Sequence, residues 1–125
     1  MWHPVVVPYA LDLIVVTVFV LIGRATHEDG FAVDGTLQTL WPFVVALLAS
    51  WVAGRVLRLP LAAPRAGGVV WLVTLVVGMG LRALSGQGTA LSFVVVATVV
   101  LGAGFLGWRL VGILLRPAAS RGDAA

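Results

Sequence analysis

The sequence predicts an all-α protein, an integral membrane four-helix bundle with short loops. The chain is 61% hydrophobic and only 10% charged, with a mean hydropathy of +1.10. Soluble domains carry about 25% charged residues, so this composition is typical of a protein embedded in lipid. A membrane-spanning helix needs about 20 apolar residues, and four of them use most of the 125 residues. We therefore expect a single transmembrane domain covering residues 1–125.

Prolines, glycines and polar residues divide the chain into four predicted helices. Their expected bounds are about 5–23, 40–59, 69–84 and 90–115. The first loop, residues 24–39, is the longest polar segment, and its two Asp-Gly steps predict turns. Pro and Gly residues predict a tight connection over residues 60–68. In the second helix, Ala46, Ser50 and Gly54 recur at four-residue spacing and predict close packing of a neighbouring helix.

The distribution of arginine predicts the orientation in the membrane. Two arginines, Arg24 and Arg82, lie on the side of the acidic first loop. The opposite side carries five, namely Arg55, Arg58, Arg65, Arg116 and Arg121. The positive-inside rule then predicts a multi-pass protein of the cell membrane with both termini in the cytoplasm. The eight arginines give the chain a pI of about 11.2. We interpret them as topology signals and as contacts with lipid headgroups, rather than as a nucleic-acid-binding surface.

The first apolar run contains one acid, Asp12, and the last contains one base, Arg109. A charge at this depth costs roughly 2.5–3.5 kcal/mol on insertion scales, so each needs a partner or a task. At 1.5 Å per residue, both lie roughly 10 Å into the bilayer from the same side. We expect a buried pair that fixes the register of helices 1 and 4. Two alternatives stay open: Asp12 couples transport to a proton or solute, or it faces another chain.

A second polar cluster is expected on the outer face, formed by Arg24, His27, Glu28 and Arg82. A histidine beside carboxylates can ligate a metal or act in acid–base chemistry. Because the cluster contains one histidine and its spacing matches no metal-binding motif, a solvated loop with Arg–carboxylate pairs is favoured. Arg82 is expected to snorkel from the end of helix 3, or alternatively to bind an anionic headgroup or solute.

The sequence offers no signature of catalysis or of a bound cofactor. It lacks the nucleophile-elbow, phosphate-loop, Rossmann and HExxH patterns. It also lacks cysteine, which excludes disulfides, thiolate metal sites and cysteine nucleophiles. We therefore predict no catalytic residues, no metal and no cofactor.

Several short motifs, in order along the chain, resemble those of a known family. They are Asp12, Gly23-Arg24, His27, Trp41-Pro42-Phe43, Gly80-Leu81-Arg82 and Gly107-Trp108-Arg109. This order resembles the uncharacterised membrane family numbered 3054 among domains of unknown function, which is associated with actinobacteria and haloarchaea. The resemblance covers about residues 5–115. It implies a compact four-span membrane protein without a known cofactor, and it carries over no activity.

The chain is also similar in architecture to the small multidrug resistance transporters. Those are short four-helix chains that carry a carboxylate in helix 1 and work as dimers. Here the acid is Asp12 rather than glutamate, and the flanking sequence does not match. The strong arginine bias also argues against insertion in two orientations, so this likeness is weak support for transport.

Three functional hypotheses follow from the sequence. The leading one is an integral membrane protein without catalytic activity that self-associates or joins other membrane subunits, with the lipid bilayer but no nucleic acid as a partner. The alternative is a transporter or channel for a small solute or proton that uses Asp12. The remote alternative is a membrane enzyme with an outer-face site at His27 and Glu28.

Overall fold

The computed structural model describes residues 6–25 and 30–115. This part of the chain forms four α-helices: α1 (Val6–Arg24), α2 (Val33–Val56), α3 (Pro64–Leu84) and α4 (Leu91–Leu114). Each is long and apolar enough to cross a bilayer, with a mean hydropathy between 1.5 and 2.4 in its most apolar window. The predicted all-α membrane architecture is confirmed.

The four helices pack in a ring. The largest interface joins α2 to α3, followed by α3 with α4, and α1 closes the ring against α2 and α4. Three phenylalanine rings meet inside this ring, with centroids 5.0 Å apart for Phe19 and Phe43 and 5.6 Å apart for Phe19 and Phe93. Ala46, Ser50 and Gly54 are buried, but a Cβ at Gly54 would meet no atom within 4 Å, so the predicted close approach of a neighbouring helix does not reach that residue.

The predicted start of α2 at residue 40 is corrected to Val33. The step Asp34-Gly35 is therefore helical rather than a turn, and Thr39 lies inside the helix with its hydroxyl donating to the carbonyl of Gly35. A Cβ at position 35 would overlap the guanidinium of Arg24. Glycine at position 35 therefore leaves the space that Arg24 occupies. This packing between α1 and α2 overrides the preference of Asp-Gly for a turn.

The predicted start of α3 at residue 69 is corrected to Pro64. Proline is well suited to the first helical position, since the missing N–H would be unpaired there. Gly67 and Gly68 are thus helical residues and not part of the loop. α2 ends at Val56 rather than at 59, which leaves residues 57–63 as the connection. The bounds of α1 and α4 lie within one residue of the predicted ones.

The fold gives the bundle two chemically different ends. The end that contains the 57–63 connection carries Asp12 and Arg109, and is called the Asp12/Arg109 end. The other end contains the connection between α3 and α4, and is called the Arg24/Arg82 end. Buried arginines lie at both ends: Arg109 at the first, and Arg24 and Arg82 at the second. Within the described residues, Arg109 is the one that forms an ion pair with a carboxylate.

Candidate functional site

The structure brings Asp12 of α1 and Arg109 of α4 together in a fully buried ion pair. The contact is bidentate: Nη1 donates to Oδ1 and Nη2 donates to Oδ2, both at 2.9 Å. The planar guanidinium matches the geometry of a carboxylate, and charge-assisted bonds of this kind are the strongest in proteins. Removing both charges from water is costly, so the pair needs further hydrogen bonds to offset desolvation.

Two tryptophans supply those bonds to Asp12. The indole N–H of Trp51 donates to Oδ2 at 3.0 Å, and that of Trp108 donates to Oδ1 at 2.9 Å. Each carboxylate oxygen therefore accepts two hydrogen bonds. The ring of Trp51 is itself held by an edge-on contact with Tyr9, with centroids 4.8 Å apart.

Arg109 also donates to two backbone carbonyls. Its Nε donates to the carbonyl of Leu61 at 2.9 Å, and Nη1 also donates to that of Phe105 at 3.0 Å. The guanidinium lies 4.3 Å from the ring centroid of Trp108, a favourable cation–π distance. On α3, Gly67 leaves room for this side chain, because a Cβ there would lie 2.8 Å from Cδ of Arg109.

The Asp12 network, defined as Asp12, Arg109, Trp51, Trp108 and the Leu61 carbonyl, thus joins α1, α2, α4 and the 57–63 connection. The helical repeat of the sequence positions Asp12 and Arg109 on the buried faces of their helices. Asp12 shares the buried face of α1 with Val16 and Val20, and Arg109 follows Phe105 by one helical turn on α4. Chemically, the arrangement clamps four segments at one depth and leaves the carboxylate no unbonded oxygen.

The sequence analysis predicted the ion pair but missed both tryptophan donors. A signal was available for each. Trp51 lies five residues before the end of α2, and Trp108 lies next to Arg109, so both share the depth of Asp12. An indole N–H inside a membrane needs an acceptor, and Asp12 is the strongest acceptor at that depth.

At the opposite end, Arg24 and Arg82 line one polar pocket of about 260 Å³. Arg24 is 8% exposed, and its Nε donates to the carbonyl of Gly30 at 2.9 Å. Arg82 is 9% exposed, so it does not extend into water as expected for a snorkelling side chain. Its Nε and Nη2 donate to the carbonyl of Gly88, its Nη1 donates to Gln87, and its guanidinium stacks 4.0 Å from the centroid of Phe93.

The other two members of the predicted outer cluster, His27 and Glu28, lie outside the described residues. Within residues 6–25 and 30–115, no three side chains of the histidine, cysteine, aspartate and glutamate types converge as a metal site would require. The described part of the outer cluster is therefore a pocket of two arginines.

The helices and the Asp12 network together define a four-helix integral membrane protein fastened at one end by a buried charge pair. Within that class the chain belongs to the family described as "Protein of unknown function (DUF3054)", whose model matches residues 9–122. This match confirms the resemblance drawn from the sequence motifs. Comparisons with curated proteins and with solved structures find no match.

Proposed function

We propose that this protein has no catalytic activity and works by associating with other membrane helices, either of a second copy or of a larger membrane complex. The observation that carries the proposal is an apolar groove of about 490 Å³ between α3 and α4. Its lining combines small residues of α4 with larger apolar side chains. The lining residues are Trp71, Thr98, Val99, Gly102, Ala103, Leu106, Gly107 and Leu110.

Small residues favour helix association in lipid because they let two backbones approach closely. Ala103 and Gly107 are four residues apart and therefore share one face of α4. A Cβ at Gly107 would meet no atom within 4 Å, so the space above it is open to an incoming helix. Gly102 differs, since Trp71 already occupies the space of its missing side chain.

The groove can be tested by filling it. Gly107→Leu adds a side chain where this chain has open space, so the fold is expected to persist while association is blocked. Gly80→Leu is the matched control, since Gly80 is an exposed helical glycine with equally open surroundings that does not line the groove. The measurement is the mass of the complex extracted from native membranes in a mild detergent.

We expect the wild-type chain and Gly80→Leu to run as a complex, and Gly107→Leu to run as a monomer. A monodisperse wild-type monomer in several mild detergents, with no co-purifying protein, would contradict the proposal. The same purification, followed by mass spectrometry, separates a homo-oligomer from a subunit of a larger assembly.

The Asp12 geometry gives less support to the transporter alternative. A coupling carboxylate has to exchange protons or ligands during the transport cycle, but Asp12 is fully buried and accepts four hydrogen bonds. Taking up a proton would break part of this network and leave Arg109 without its counter-charge. We therefore assign Asp12 to structure in this proposal.

The enzyme alternative depends on His27 and Glu28 and is tested separately. If the protein has no catalytic role, cells that carry His27→Ala should have the same phenotype and the same rate of lipid turnover as cells that carry the wild type. A loss of turnover in His27→Ala, with normal membrane insertion, would restore the enzyme hypothesis.

A further inference from the structure

The Arg24/Arg82 end carries excess positive charge within the described residues. Both arginine residues are more than nine-tenths buried, and both line the same pocket. The described carboxylates are those of Asp12, at the other end of the bundle, and Asp34, which is exposed and does not line this pocket. Neither arginine forms an ion pair with either of them. Two buried cations at one site require a compensating anion.

The pocket also offers neutral groups suited to an oxyanion. The amide of Gln38 lines it, and Gly88 leaves open space, since a Cβ there would meet no atom within 4 Å. The hydroxyl of Thr39 and the amide of Gln87 also line the pocket, where they donate to the carbonyls of Gly35 and Gln38. Arg82 is held in place by its bonds to Gly88 and Gln87, so its orientation is fixed before any ligand arrives. These three bonds leave two of the five N–H donors of Arg82 for a ligand, and the bond from Nε of Arg24 to Gly30 leaves its two Nη groups. Charge-assisted hydrogen bonds from guanidinium groups suit phosphate oxygens, so the two arginines fit a phosphoryl group.

A second cavity adjoins this pocket and has the opposite character. It has a volume of about 600 Å³ and lies between α1 and α4, with a mostly apolar lining that includes Phe19, Ile22 and Val96. Four residues belong to both cavities, namely Gly23, Arg82, Gly88 and Phe93. The polar pocket and the apolar groove are therefore adjacent and share part of their lining.

We propose that these two cavities form one binding site for an anionic phospholipid of the surrounding bilayer. The phosphate lies between Arg24 and Arg82, and an acyl chain lies in the groove between α1 and α4. Position supports this occupant: Arg24 is the last residue of α1 and Arg82 lies two residues before the end of α3, at the level where lipid headgroups meet the ends of spanning helices. Basic pockets between membrane helices bind anionic headgroups in this way.

The test measures lipid retained by the full-length protein. The protein is reconstituted in nanodiscs of phosphatidylcholine mixed with phosphatidylglycerol, re-extracted in mild detergent and analysed by native mass spectrometry. We expect the wild type to retain phosphatidylglycerol selectively. Arg24→Gln and Arg82→Gln are each expected to lower retention roughly tenfold, since each removes charge-assisted bonds to the phosphate. Arg55→Gln, an exposed arginine at the other end, is the matched control and should retain lipid as the wild type does.

The groove is tested without touching either arginine. Val96→Trp fills the apolar cavity, whereas Val95→Trp places the same side chain on a neighbouring exposed position outside it. We expect Val96→Trp to lose phosphatidylglycerol and Val95→Trp to keep it. These two valine variants keep the proposal testable even if an arginine variant fails to fold.

Three outcomes would overturn the proposal. Equal retention by Val96→Trp, together with displacement of the lipid by inorganic phosphate, would mean that the pocket binds a free anion and not a lipid. Retention unchanged in Arg24→Gln and Arg82→Gln would remove the headgroup assignment. Retention that appears only in Glu28→Gln/Asp29→Asn would mean that the protein's own acidic loop supplies the counter-charge.

Discussion

The guanidinium of Arg109 donates two hydrogen bonds of 2.9 Å to the carboxylate of Asp12, which lies 97 residues earlier in the chain. The pair joins the first and last helices of the bundle. The same two groups also bind Trp51, Trp108 and the carbonyl of Leu61, so the contact ties together segments that the loops alone would not hold in register. This relationship sets the expected outcome of the following substitutions.

Asp12→Asn is expected to destabilise the fold strongly. It leaves Arg109 buried without a counter-charge, and removing one partner of a buried ion pair costs about 3–5 kcal/mol. The measurement is the free energy of unfolding in detergent, with Asp34→Asn as the control because Asp34 is exposed. A normally stable Asp12→Asn that had lost a proton-linked flux would instead identify a coupling site.

Reversing the pair is not expected to rescue the loss. In Asp12→Arg/Arg109→Asp the two charges still attract, but the indoles of Trp51 and Trp108 can only donate hydrogen bonds and would face a guanidinium. The carbonyls of Leu61 and Phe105, which can only accept, would face a carboxylate. We expect the double variant to be no more stable than Asp12→Asn when both are unfolded under the same conditions. Recovery of wild-type stability would show that the tryptophan bonds contribute little.

The tryptophan donors can be removed while an aromatic ring is kept. Trp51→Phe and Trp108→Phe each keep an aromatic ring but delete one N–H bond to a charged acceptor, a loss of about 1.5–3 kcal/mol. Trp41→Phe is the control, since Trp41 is 41% exposed and its change should stay within about 0.5 kcal/mol. Effects at positions 51 and 108 no larger than that at position 41 would argue that the hydrogen bonds to Asp12 contribute little.

Two adjacent glycines of α3 provide a paired test of how Arg109 is packed. Gly67→Ala places a methyl group 2.8 Å from Cδ of Arg109 and is expected to destabilise by about 1–3 kcal/mol. Gly68→Ala meets no atom within 4 Å, so the better helix propensity of alanine should stabilise it by about 0.5–1 kcal/mol. Opposite signs in a thermal unfolding assay are the expected result. Equal signs would contradict the position of Arg109 against α3.

Part of the site was predictable because depth in a membrane follows from counting residues. Asp12 and Arg109 lie at matching distances from helix ends on the same side, and each is costly alone, so their pairing is a physical expectation. The same count applied to Trp51 and Trp108 would have added the two donors. The Leu61 carbonyl gave no comparable signal, because every residue of a loop carries one.

The helix starts that were wrong share a cause. Asp34-Gly35 and Gly67-Gly68 have the local composition of turns, yet both are helical. Gly35 and Gly67 lie against Arg24 and Arg109, which belong to the neighbouring helices α1 and α4. A glycine chosen for a close approach looks the same in a sequence as a glycine chosen for a turn.

The sequence by itself determined that the chain is a four-helix membrane protein, because hydropathy and length act within each segment and need no partner. It also determined which charges lie at one depth. Only the tertiary structure decided that Asp12 accepts four hydrogen bonds, and that Arg24 and Arg82 share a pocket beside an apolar groove. Those properties depend on how the helices are rotated and packed against one another, which arises from contacts between residues far apart in the chain.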